Sequence, residues 1–114
     1  MENIIKIYDN AIGISFQWTH IETDLTQIIF RDIGFHLSEE ELELFTDKIT
    51  EAKFQKQCKN CDMGPNCKSI LLQTPLSKVT LAVSLSELQQ IEDLLKGTLF
   101  QVKLNKYIND ICKN

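Results

Sequence analysis

Apolar residues near the N-terminus alternate or run together, and later recur every three to four positions. This change of period divides the chain into elements. Residues 4–8 (IIKIY) and 11–18 (AIGISFQW) are β-rich runs on either side of Asp9-Asn10, a turn-forming pair, and predict an opening hairpin. Ile12, Ile14, Phe16 and Trp18 alternate in the second run, which places them on one strand face. A shorter hairpin is predicted from residues 28–30 and 33–37, with a break at Arg31-Asp32.

The helical period begins after Ser38. A serine at a helix N-cap accepts from the amide of the third helical residue, and a glutamate there reaches back to the cap's own amide. Ser38 and Glu41 have that spacing, and Glu39, Glu40 and Glu41 suit the positive end of the helix dipole. Leu42, Phe45, Ile49 and Ala52 follow as one apolar stripe, predicting a helix over 38–56. A polar linker over 58–68, containing Gly64-Pro65, separates it from two further strands at 69–74 and 79–83. Ser84 with Glu87 repeats the capping box, and Leu88, Ile91 and Leu95 repeat the stripe. Gly97 is expected to end this second helix, and Leu104, Tyr107, Ile108 and Ile111 predict a separate short helix at 104–112.

Sliding the chain against itself by 46 positions superposes Ser38 on Ser84, Glu41 on Glu87, Leu42 on Leu88, Asp47 on Asp93, Phe54 on Phe100 and Gln55 on Gln101. The coincidence of caps, stripes and post-helical residues points to a degenerate ββα unit used twice. The expected fold class is α+β: an antiparallel sheet with helices on one face, extended or covered by the N-terminal hairpin. The expected organisation is a single domain over 1–114. It comprises the hairpin (1–18), a first unit (25–57), the linker (58–68), a second unit (69–103) and a C-terminal helix (104–114).

Composition narrows the classes. The chain has 114 residues, 43% hydrophobic and 25% charged, enough to close a core without disulfide staples. Its net charge of −4 disfavours a phosphate backbone as partner, because such binding needs clustered cations, and the lysines here are diluted around a lone arginine, Arg31. No stretch reaches the ~18 consecutive apolar residues of a membrane helix. The opening MENIIKIYDNAIG lacks a basic region followed by an apolar run, so the expected location is the cytoplasm, where thiols stay reduced.

The sharpest local motif is Cys58-x-x-Cys61-x5-Cys67 in QCKNCDMGPNCKS. A C-x-x-C turn aims two sulfurs at one point, as a tetrahedral metal requires, and a third cysteine six residues on can join them. Structural zinc would draw its fourth ligand from Cys112, His20, His36 or Asp62. Three other readings compete with it. A redox-active pair would want a helix N-terminus or nearby positive charge, and this motif follows a helix, with only Lys59 and Lys68 close by. An iron–sulfur cluster would need all four cysteines, and unligated loop thiols need nothing further. Cys112 itself is expected as a small core residue.

No other catalytic constellation stands out. His20 falls in a polar connector and His36 in a strand, without a nucleophile and an acid in motif spacing. There is no G-x-S-x-G elbow and no glycine-rich phosphate loop. Glu39, Glu40, Glu41 and Glu43 diverge around a helix instead of converging on a cation. Phe16, Trp18 and Phe35 could stack a ligand, but aromatic residues at strand spacing are expected in the core.

The stretches IIFRDIGFHLSEEELELF and ILLQTPLSKVTLAVSLSELQQIEDLL cover about half the chain. In setting an apolar strand before a capped helix, twice, with a break at Leu72-Gln73-Thr74-Pro75, the pattern resembles a small uncharacterised bacterial family of unknown function with two strand-strand-helix units. The chain departs from it in keeping its cysteines in the middle linker. The resemblance implies the two-unit fold and transfers no activity and no residue role. The expected function is a non-enzymatic protein-interaction or regulatory module, binding a protein partner or self-associating through a sheet edge or helix face. The alternatives are a structural zinc module and a thiol oxidoreductase using Cys58 and Cys61.

Overall fold

The computed structural model describes residues 4–18, 25–55, 68–76 and 78–112. In chain order the elements are β1 (Ile4–Asp9), β2 (Gly13–Trp18), β3 (Thr26–Phe30), β4 (Ile33–Leu37), α1 (Glu39–Ala52), β5 (Ile70–Gln73), β6 (Thr80–Val83) and α2 (Leu85–Cys112). The fold class is α+β, with antiparallel sheets and two helices. The strand–strand–helix order occurs twice, as β3-β4-α1 and β5-β6-α2.

Both capping boxes form. Ser38 Oγ accepts from the Glu41 amide while Glu41 Oε1 accepts from the Ser38 amide, and Ser84 and Glu87 do the same. The stripes behind them are fully buried: Leu42, Phe45 and Ile49 on α1, and Leu88, Ile91 and Leu95 on α2. They meet Ile28, Phe30, Phe35 and Leu37 from one sheet and Ile70, Leu72, Leu81 and Val83 from the other in one hydrophobic cluster. Each such buried side chain contributes roughly 1.5–3 kcal/mol relative to exposure.

The strands do not join into one sheet. β1-β2-β3-β4 form an antiparallel meander, and β5-β6 pair separately. Part of the reason lies at β5, whose edge away from β6 is occupied by a side chain. The Leu71 amide donates to Gln55 Oε1 at 3.0 Å, and Gln55 Nε2 donates to the Leu71 carbonyl at 2.6 Å. The Gln55 amide stands where the peptide of another strand would pair.

The register fixes the faces of the four-stranded sheet. Ser15 pairs with Ile28, and Ile28 with Phe35, so Ser15 points to the helices. Phe16 pairs with Gln27, which pairs with His36, so Ile14, Phe16 and Trp18 occupy the opposite face. Of the three aromatic residues expected in the core, Phe16 and Phe35 are buried and Trp18 is half-buried. Phe16 and Trp18 pack edge-to-face on that opposite face, with centroids 5.5 Å apart. Phe35 packs in the core against Phe45, so the three aromatic rings are divided between two faces. Ile12 lies before β2, in a turn that Asn10 closes by accepting from the Ile12 and Gly13 amides, and it packs on the core.

A correction concerns the C-terminal third. Gly97 does not end a helix, and the short helix expected at 104–112 is not separate: α2 runs unbroken for 28 residues from Leu85 to Cys112. The reason is packing. A Cβ built at Gly97 would stand 2.5 Å from Cζ of Tyr8, so the missing side chain is what admits the β1 ring against the helix.

Candidate interaction surface

The β1-β2 hairpin docks on α2 through a polar seam. Tyr8 Oη donates to Asp93 at 3.0 Å, and Asn10 Nδ2 donates to Asp93 Oδ2 at 2.9 Å and to the Gln90 carbonyl at 2.8 Å. Deeper in, the buried Ser15 and Thr98 hydroxyls stand 2.6 Å apart, with Thr98 Oγ1 2.6 Å from the Leu94 carbonyl and Ser15 Oγ 3.3 Å from the Tyr8 carbonyl. A hydroxyl removed from water needs such a partner, which explains how a serine faces the helices while phenylalanine and tryptophan do not. The Asp93 carboxylate also sets the chemistry of the phenol: its hydrogen bond and negative charge push the Tyr8 pKa above 10.0.

On its other side α2 runs antiparallel to α1. Lys53, just after α1, pairs with Glu92; Glu43 pairs with Lys103 at 2.8 Å; and Glu39 pairs with Lys106 at 3.4 Å. Burial pushes the Glu92 carboxyl up, but hydrogen bonds from Lys53 and Lys96 outweigh it and hold it below 4.5. Glu87 behaves alike. Burial raises it, yet the Ser84 amide, Lys68 and Arg31 together lower it. Arg31 reaches Glu87 at 3.2 Å from the β3-β4 turn, where its φ is 56°.

These two contacts leave one side of α2 open. At 100° per residue, Gln90, Asp93, Gly97, Phe100, Leu104, Tyr107, Ile108 and Ile111 fall within an arc of about 100°, opposite Leu88, Ile91, Leu95 and Val102. The hairpin contacts the first three. The other five remain open, with exposures of 63% for Phe100, 36% for Leu104, 63% for Tyr107, 46% for Ile108 and 54% for Ile111. Every residue from Lys103 to Ile111 is exposed, although Lys103 and Lys106 still reach α1. The five side chains present on the order of 500 Å², the size at which an exposed apolar patch marks an interaction site. Sequence reading found these residues but assigned four of them to a separate short helix. The signal for exposure was their angle: they continue the line of Asp93 and Gly97, not that of Leu88 and Leu95.

Cys58, Cys61, Cys67 and His20 lie outside the described residues. Cys112 is the last residue of α2. His36 is exposed on the outer sheet face, and its Nδ1 is 2.9 Å from Gln27 Nε2. Among the described residues, no three His, Cys, Asp or Glu side chains converge as a metal site would need. No helix among them is long and apolar enough to cross a membrane. Comparison of the chain with protein-family models, curated proteins and solved structures returns no match to any of the three.

Proposed function

We propose that the protein is a non-enzymatic interaction module that presents the open face of the C-terminal part of α2 to another polypeptide. The observation that carries this reading is the open row of Phe100, Leu104, Tyr107, Ile108 and Ile111 on a helix held from two other sides. A row spaced 4-3-4 is the seam that a second helix fits, since knobs at that spacing enter the holes of a facing helix. The test is a photo-cross-linking amino acid at Tyr107 in living cells. Irradiation is expected to yield an adduct between this chain and a polypeptide. Irradiation that leaves the chain at its own mass, with the cross-linker intact, would refute the reading.

A second reading, structural zinc on Cys58, Cys61 and Cys67, is favoured by the anchoring of the chain on both sides of them. Gln55 is bound to the backbone of Leu71, and Lys68 to Glu87 at 3.3 Å. Ends fixed in this way reduce the entropy that closing a ligand loop costs. Cys112 stands about 38 Å along α2 from Glu87, out of reach of Cys67, so the fourth ligand would come from His20 or His36. Protein purified without added metal is expected to retain about one zinc per chain. Less than about a tenth, with the thiols titrating as reduced, rejects this reading.

A further inference from the structure

We infer that the occupant of the open α2 row is a second copy of this chain, paired antiparallel so that Phe100 meets the partner's Ile111 and Leu104 meets the partner's Tyr107. The inference rests on the interaction reading above and names its partner. Three observations carry it.

The first is the hairpin. Tyr8 and Asn10 sit on Asp93, Gln90 and Gly97, in the same arc as the open row and immediately N-terminal to it. In a parallel pair, both hairpins would lie at the same height between the two helices and hold them apart. In an antiparallel pair, each hairpin stands beyond the end of the partner helix. Pairing Phe100 with the partner's Ile111 uses the row to its end and stops short of Gly97.

The second is charge. The row contains no charged side chain, and the lysines of α2 beside it are already engaged, Lys96 by Glu92 and Lys103 by Glu43. An identical surface therefore meets no like-charge repulsion, which an acidic chain would otherwise face in self-association.

The third is area. About 500 Å² from the five side chains, with the flanking stems of Gln101 and Asn105, approaches the ~800 Å² per partner of a standard interface. A two-fold interface uses one patch twice, so no second surface is required.

The experiment mixes light and 15N-labelled full-length chains, each carrying a photo-cross-linking phenylalanine analogue at position 100. After irradiation, tryptic peptides are sorted by isotope. The expected product joins the peptide 97–103 of one isotope to the peptide 107–113 of the other. Sedimentation equilibrium is expected to give a dimer whose dissociation constant rises about thirtyfold or more in Leu104→Glu. Leu104 is partly exposed, so the variant keeps its fold, checked by an unchanged circular dichroism spectrum. A mixed-isotope product at 97–103 or on another face overturns the antiparallel pair but keeps the interaction reading. So does a monomeric chain that cross-links in cells to a different polypeptide. A product confined to one isotope shows the row covered by its own chain, and both readings fall.

Discussion

The phenol ring of Tyr8 lies against the Cα of Gly97, so closely that a methyl group there would stand 2.6 Å from Cε1 and Cε2 of the ring. The ring cannot swing away cheaply, because its hydroxyl is bonded to Asp93. In an isolated helix, Gly→Ala stabilises by about 1 kcal/mol. Here the sign is expected to reverse, because overpacking costs about 1–3 kcal/mol. Urea denaturation of Gly97→Ala should show the loss. In a Tyr8→Ala background, the same substitution should stabilise by about 1 kcal/mol. Stabilisation in both backgrounds would show that the ring does not constrain position 97.

The same contact predicts behaviour at high pH. The folded pKa of Tyr8 is raised by its hydrogen bond to Asp93, so the stabilisation is fully present below the unfolded value of 10.0 and is lost as pH rises through the folded one. The chain has two tyrosines, and Tyr107→Phe leaves Tyr8 as the only phenol. Its absorbance titration should have a midpoint above 10, and Asp93→Asn should lower that midpoint. An unchanged midpoint in Asp93→Asn would separate the shift from the carboxylate.

These relations also mark what was legible in the sequence. Ser38, Glu41, Ser84 and Glu87 could be read as caps because a capping box involves residues only three apart. The stripes of Leu42, Phe45, Leu88 and Ile91 followed from helical geometry alone. The path of the chain through Gly97 could not be read this way. A glycine near the end of a periodic run looks like a terminator until the ring that replaces its side chain is found 89 positions earlier. Alternation likewise groups Ile14, Phe16 and Trp18 on one face but does not say which. That choice depends on Thr98, whose hydroxyl gives Ser15 a buried partner.

Gln55 offers a local test. Its amide makes two hydrogen bonds to Leu71 on the β5 edge. Gln55→Ala is expected to cost about 1 kcal/mol. It should also speed hydrogen exchange at the Leu71 amide while leaving that of Leu72 nearly unchanged. Gln55→Asn, one methylene shorter, should behave like the alanine variant. Equal exchange at Leu71 in all three proteins would mean that the clasp is not populated in solution.

Acid should weaken the junction of α2 with its neighbours. Glu87 and Glu92 both have folded pKa values below 4.5. Their contribution is present above the unfolded value and lost as pH falls through the lowered one. The urea midpoint is therefore expected to drop between pH 5 and pH 3. Glu87→Gln keeps an acceptor for the Ser84 amide but removes the charge that Arg31 and Lys68 meet, so it should be less stable at pH 6 and show a shallower acid loss. A slope equal to that of the unsubstituted protein would assign the acid sensitivity to other carboxylates.

The seam of Tyr8, Asn10 and Ser15 with Asp93 and Thr98 spans more than 80 positions of sequence. On a ribosome the β1-β2 segment is made well before its helical seat, which is completed only when Thr98 has emerged from the tunnel. Until then the hairpin has no surface to rest on, and loop closure over that distance must precede the contacts that reward it. Synthesis should therefore leave β1 and β2 waiting on α2, and the hairpin and the helix should acquire their protection together.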